Sequence, residues 1–244
     1  MKLFNLIGIF SFFCLWFILT YSGFVNPLFI PSPLDVLKQI PIIIKEGFII
    51  DIIYTMFRLI AGFIIGSLLG IGLGILMGYY KNIYNLLETL VDFFRSVPVT
   101  SLFPLFLLFF GIGDIAKILI AAWSSSLIIL INTMYGVKNA NKLKLLVGQL
   151  MGANSYKLLK YIIIPDALPD IVVGLRTGVS LALIVVVVSE MFLGTKYGLG
   201  QIIYNSSLLY ETPTMYAAII FTGLIGYGLN KIFIHLEKRI VHWN

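Results

Sequence analysis

The chain has 244 residues, 59% of them hydrophobic and 11% charged, and a formal net charge of +6. A soluble domain carries about 25% charged residues, so polar surface cannot cover this chain, and the expected solvent is a bilayer around one bundle of about five to seven helices. The basic residues cluster between apolar runs, which points to membrane topology and away from nucleic acid.

The first apolar run is Leu3 to Tyr21, with no charge between Lys2 and Asp35. A span needs about 20 apolar residues. A cleaved signal peptide would have an apolar core of about 7–15 residues followed by small residues. This run is longer and ends in YSGFVNP, so a retained span is expected. Cys14 lies inside it and reads as a small apolar side chain. As the single cysteine it permits no disulfide framework and no Cys/His metal spacing.

Gly23, Pro27, Pro31 and Pro33 mark a loop, and DVLKQIPIIIKEG (35–47) suits a short interfacial helix. A second span runs from Ile52 to Tyr80, with Arg58 as its only charge. A third apolar region covers Pro98 to Gly111, and a fourth span Ile118 to Val137. Residues 138–160 hold Lys138, Lys142, Lys144, Lys157 and Lys160 and no acid. A fifth span is expected from Ala167 to Phe192 and a sixth from Pro213 to Asn230, before the basic tail KIFIHLEKRIVHWN. The fold class is thus an all-α membrane bundle of about six spans. Residues 1–50 form a first span, an outer loop and an interfacial segment, and 51–244 form the core, with a polar loop at about 138–166.

An even number of spans puts both ends on one side, and the positive-inside rule selects it. With the N-terminus inside, the inner segments hold Lys2, Lys81, Arg95, the lysines of the central loop, Lys231, Lys238 and Arg239. The outer segments hold Lys38, Lys45 and Lys196, and Lys117 falls near a span end.

In the second span Gly62, Gly66, Gly70, Gly74 and Gly78 recur every four residues. They share one helix face and leave a groove for close approach of another backbone. Lining a solute path is the competing role.

In the polar loop, Asn154 or Ser155 suits the N-cap of a short amphipathic helix through Tyr161. Gly152 allows a tight turn before it. Pro165 and Pro169 bracket the start of the fifth span and imply a rigid corner. An ordinary loop whose lysines only orient the chain is the alternative.

This segment resembles the cytoplasmic EAA loop of permease subunits in binding-protein-dependent ABC importers, whose pattern is E-A-A-x3-G-x9-I-x-L-P. Gly152 stands at its glycine, Ile162 at its isoleucine and Pro165 at its proline. Ile164 replaces the leucine, and the triplet reads Leu146-Val147-Gly148, where only the small size of Gly148 matches. Within that family the chain is most similar to the nitrate/sulfonate/taurine/bicarbonate group, which also includes thiamine-precursor transporters. The similarity runs in order through LFIPSPLDVL (28–37), TMFRLIAGFIIGSLLGIGLGILMGYY (55–80), FRSVPVTSLFPLFLLFFGIGDIAKI (94–118), GANSYKLLKYIIIPDALPDIVVGLR (152–176), SEM (189–191), GLG (198–200) and LEKRIVHW (236–243).

The resemblance implies a permease dimer in the lipid of the cytoplasmic membrane, with two ATPase subunits inside and a substrate-binding protein outside. Gly148, Gly152, Ala153, Ser155, Ile162, Pro165 and Pro169 would form the loop that couples to the ATPase. The chain has no G-x-x-x-x-G-K-[ST], and GTKYG at 194–198 lacks its spacing. No cofactor is therefore expected on this chain, and ATP and Mg belong to the partner subunits. The implied cargo is a small polar solute, an anion such as sulfonate, taurine or nitrate, or else a thiamine-precursor pyrimidine.

Ionisable residues inside spans call for a role. Arg58 and Arg176 are candidates for attracting an anion, because arginine holds multi-oxygen anions in a fixed fork. Pairing with a neighbouring helix or snorkelling competes with that role. Glu190 is a candidate for an outer gate. Arg95, Ser96, Pro98, Thr100 and Ser101 are path candidates, because proline breaks expose backbone only where it is buried or faces water; hydroxyls bonding back to the helix are the alternative. Trp16, Trp123 and Trp243 read as interface anchors. His235 and His242 read as surface residues, with no metal or catalytic partner by spacing. A stand-alone transporter would show inverted repeats and intramembrane acids, and a membrane enzyme clustered His, Asp or Glu; the sequence offers neither pattern.

Overall fold

The computed structural model describes residues 2–23 and 25–240, so Trp243 and His242 lie outside the described residues. In chain order the elements are α1 Lys2–Tyr21, α2 Pro33–Lys45, α3 Phe48–Tyr79, α4 Lys81–Ser96, a 3-10 turn Val99–Leu102, α5 Phe103–Phe110, α6 Asp114–Lys138, α7 Lys142–Leu150, α8 Ser155–Leu158, a π-helical turn Leu159–Ile163, α9 Ile164–Phe192, α10 Leu199–Leu208 and α11 Thr212–Ile240. Among the described residues there is no strand.

The spine is the pair α3 and α6. A Cβ added at Gly62 would stand 2.7 Å from the Ile118 carbonyl oxygen, and one at Gly70 2.7 Å from that of Ser126. At Gly74 and Gly78 it would stand 2.6 Å from the Cβ of Thr133 and of Val137, and at Gly66 it would strike Ser125 Oγ. The partners climb in step, so the two helices run parallel with their backbones in near contact. Only residues without a Cβ permit this approach.

Parallel neighbours need a connection that crosses back along their length. The chain from α4 to α5 supplies it. α4 lies along α6, from Tyr84, whose ring sits 3.8 Å from Lys138 Nζ, to Phe94, edge-on to Trp123 at 4.9 Å. The run then breaks before the 3-10 turn, and the two halves meet at 93°. Beyond the break Phe103 packs with Ala116 and Ile120 near the start of α6.

Two expectations change here. Residues 80–95 are not simply a segment outside the spans, and Pro98 to Gly111 is not a span by itself. Together they make one broken span, whose polar face masks its depth from a reading of mean hydropathy. Among the described residues four helical runs are long and apolar enough to cross a membrane, five when the bent pair is counted as one span. The expected first span is α1, whose Phe10–Tyr21 portion counts as a shorter apolar helix.

α9 runs antiparallel to α6 on its other side. Gly136 lies against Asp170, Gly174 against Asn132 and Gly178 against Ile129. α11 runs antiparallel to α9, with Gly226 near Leu183. α2 starts on Ser32, whose Oγ accepts from the Asp35 N–H at 3.2 Å and donates to its carboxylate at 2.7 Å. Pro33 fills its first turn, and Val36 and Ile43 are buried.

The glycine stripe makes a prediction. Gly70→Leu should destabilise the chain by about 1–3 kcal/mol or more through overpacking. Gly72→Leu should change stability little, since nothing lies within 4 Å of its Cβ position. Thermal unfolding of the two variants in detergent, side by side, measures the difference.

Candidate functional site

Two polar centres lie at opposite ends of the spine. One is where α3 and α6 begin. The other is the loop between α6 and α9.

At the first, the four-residue spacing of the glycines, continued back from Gly62, lands on Arg58. Its side chain must therefore face the partners of α3, and it is 1% exposed. Arg58 Nη1 donates to Glu190 at 2.6 Å and to the Tyr197 carbonyl at 2.8 Å. Nε donates to Asp114 at 2.7 Å and Nη2 to Thr195 Oγ1 at 2.9 Å. Every nitrogen of the fork is engaged by an oxygen of the protein, so no free donor remains to hold an anion. Glu190 is 0% exposed, paired with Arg58 and bonded by Thr55 Oγ1. Burial keeps it from forming an outer surface.

The cluster also caps α10. The amides of Gly198, Leu199 and Gly200 donate to Asp51 at 2.7 Å, to Thr55 Oγ1 at 2.9 Å and to Glu190 at 2.9 Å. A helix N-terminus leaves such amides unpaired and favours carboxylates. Gly198 adopts φ 148°, and a Cβ there would stand 2.6 Å from the Glu190 carboxylate. The GLG motif is thus the shape that lets α10 dock on buried acids. Lys117, near a span end by sequence, is also buried and donates to the Gly113 carbonyl at 3.0 Å.

At the other end, Asn141 caps α7 by accepting from the Leu143 amide at 2.9 Å. Asp166 accepts from the Asn141 amide at 2.7 Å and pairs with Lys144, pinning the start of α7 to α9. α7 ends at Leu150, Gly152 just beyond it has φ 77°, and the Ala153 amide donates to the Gly148 carbonyl at 3.0 Å. Gly148 is buried, and a Cβ there would stand 2.5 Å from Ile162 and 2.8 Å from Leu158. Asn154 is the N-cap of α8, accepting from the Lys157 amide at 2.9 Å. Tyr79 Oη donates to the Ser155 carbonyl at 3.3 Å, tying the end of α3 to the loop.

The corner differs from expectation. α8, the π turn and α9 form one run, Ser155–Phe192, with Pro165 and Pro169 inside it. The bend sits earlier, at 151–154. The wide π turn lies just ahead of Pro165, which supplies no N–H, so the chain continues instead of turning.

The remaining candidates scatter. Arg176 pairs with Glu237 on α11 at 3.1 Å. Arg95 pairs with Asp92 at 3.2 Å, both side chains 60% exposed. Ser96 and Ser101 bond back to the Asp92 and Pro98 carbonyls at 2.9 and 2.6 Å. Thr100 and Pro98 are exposed at the break of the span. The described residues hold no group of His, Cys, Asp and Glu arranged for a metal.

Residues 66–242 match the family described as binding-protein-dependent transport system inner membrane component. The taurine transport system permease protein of Escherichia coli is 27% identical, over 94% of this chain and 85% of its own. The riboflavin transport system permease protein of Chloroflexus aurantiacus is 34% identical, over 92% and 83%. The inward-facing MetNI methionine ABC transporter superposes with a TM-score of 0.72 at 17% identity, covering 81% of this chain and 98% of that one, and shares the fold.

Removing one partner of a buried ion pair strands the other charge, at a cost of about 3–5 kcal/mol. Arg58→Met should therefore destabilise the chain by about that amount. Arg58→Met combined with Glu190→Gln should recover most of it. A double-mutant cycle on thermal unfolding checks both.

Proposed function

The chain belongs to the binding-protein-dependent transport system inner membrane components and is a membrane-embedded ABC permease subunit, and on that premise we propose that it forms half of a permease homodimer importing a small polar solute. Two separate ATPase subunits would hold ATP and Mg, and an extracytoplasmic binding protein would deliver the solute. The central loop carries this reading. It is capped at Asn141 and Asn154 and pinned by Asp166 and Tyr79. Yet it presents apolar side chains outward: Leu150 is 81% and Met151 83% exposed. Met151 joins Leu143 and Val147 around a hollow of about 480 Å³. A rigid loop with an uncovered apolar patch suits a protein partner.

By the positive-inside rule the loop lysines support a cytoplasmic side for this end and for both chain ends. Gly148, Gly152, Ala153, Ser155, Ile162, Pro165 and Pro169 then form the coupling element. Closure of the ATPase pair moves the loop, and the unbroken rod from α8 through α9 carries that motion across the membrane. Its far end is locked to α3 and α6 through Glu190. The bundle therefore rocks as a body and exchanges inward-open for outward-open access.

For the solute, an anion such as a sulfonate, taurine or nitrate is supported by the taurine relative. A thiamine-precursor pyrimidine is the second reading, favoured by the riboflavin relative and by the closed network around Arg58.

ATPase activity of the purified complex with its binding protein should rise several-fold with the transported solute. Equal transport by this chain alone in vesicles would instead establish a stand-alone transporter or channel. Gly152→Val forces a β-branched residue into positive φ. Membrane insertion should persist while the ATPase no longer co-purifies. Unchanged co-purification and uptake would remove the loop from the coupling role.

A further inference from the structure

α4 has three sides. At 3.6 residues per turn, Ile83, Tyr84, Leu87, Val91 and Phe94 share the side that packs on α3 and α6. Leu86, Leu90 and Phe93 form a second side that is apolar and exposed. Asn85, Glu88, Thr89, Asp92, Arg95 and Ser96 form the third, an exposed arc roughly 120° wide.

Depth makes this arc unusual. Between Tyr84 and Phe94 α4 lies beside α6, a rise of about 15 Å at 1.5 Å per residue, half of a hydrocarbon core about 30 Å thick. Charged side chains at that depth do not face lipid; they face protein or a water-filled cavity. Within the described chain no other element covers Asp92 and Arg95: their side chains stay 60% exposed. A dry contact with a second copy fails too. A two-fold contact sets residue i against residue j of the same patch, and with two carboxylates to one guanidinium on each arc it would bury one unpaired carboxylate per copy without water.

The arc borders a hollow of about 140 Å³ that Tyr84, Glu88, Asp92, Arg95, Met134 and Tyr135 help to line. Two carboxylates against one guanidinium leave it net negative. Tyr84 donates to Glu88, and the Tyr135 ring is exposed beside it. The arginines that would favour a free anion are committed elsewhere, Arg58 to Glu190 and Asp114 and Arg176 to Glu237. Resting on the permease reading, we propose that the polar arc of α4 is the wet wall of the solute path, and that Glu88 and Asp92 select solutes bearing a protonated or hydrogen-bond-donating nitrogen. An aminosulfonate and an aminated pyrimidine share that chemistry; nitrate lacks it. The exposed Tyr135 face adds attraction for a cationic nitrogen, while Lys138 already stands on the Tyr84 ring.

The test uses the full-length chain in membrane vesicles, with Cys14→Ala and one new cysteine at a time. Asn85→Cys and Thr89→Cys should react readily with hydrophilic methanethiosulfonates, and Leu90→Cys and Phe93→Cys should stay inert. Equal reactivity of the two pairs, or inert arc cysteines, overturns the wet wall. At Thr89→Cys the cationic aminoethyl reagent should outpace the anionic sulfonatoethyl reagent about fivefold, the ratio expected for one net unit charge about 8 Å away in water. Glu88→Gln alone, which leaves Asp92 balanced by Arg95, should abolish that preference. An equal or faster anionic reagent overturns the selectivity.

Protection of Thr89→Cys separates the solutes. Protection by taurine points to the aminosulfonate, and by an aminopyrimidine to the ring. Protection by nitrate alone, or by none of the three, overturns the solute class. These rates need no ATPase or binding protein. A failed labelling pattern therefore sinks the arc alone, whereas failed coupling with the pattern intact sinks only the permease reading.

Discussion

The close parallel packing of α3 on α6 governs the rest of the structure. Helices whose carbonyls nearly touch admit no side chain between them, so a glycine must recur at every fourth residue of the contact. Because the pair is parallel, the chain between them must cross back. That return is the broken span of α4 and α5, and it carries an exposed polar face along the outside of α6. The unusual feature of the molecule, charge at membrane depth on an uncovered surface, follows from a constraint set elsewhere.

The same packing explains the buried ion cluster. Arg58 occupies the contact stripe one step before Gly62, so its guanidinium enters the junction of α3, α6 and α9. Buried ion pairs add little net stability, since desolvation offsets attraction. They do demand particular partners. Here three separate segments must bring Asp114, Glu190 and the Thr195–Tyr197 turn to one point. The carboxylates then dock the N-terminus of α10. An arginine that looks like a solute ligand in the sequence becomes the pin that fixes helix register.

The two ends of α9 differ in kind. At one end Glu190 is locked into the spine. At the other, α9 continues without a break through the π turn into α8, and the loop beyond is rigid but exposes apolar side chains. A rod fixed to the bundle at one end and offered to a partner at the other suits transmission of a push. The corner at 151–154, with Gly152 at positive φ, sets the angle of α7 against that rod.

Residue order alone determined the all-α class, the long spans α3, α6, α9 and α11, the glycine contact face and the capped central loop. Each is written in a local pattern: apolar run length, a four-residue period, a cap residue before a helix. Tertiary structure decided the rest. A mean over a window cannot separate three sides of α4, so its place alongside α6 emerged only once α3 and α6 were seen to be parallel. The partner of Arg58 is 132 residues away in Glu190, a pairing that no local period encodes. The prolines at 165 and 169 signalled a corner, but a wider helical turn before them absorbed the missing N–H. Local sequence sets what each segment can form; contact between distant segments selects which charges are closed off and which stay open to water.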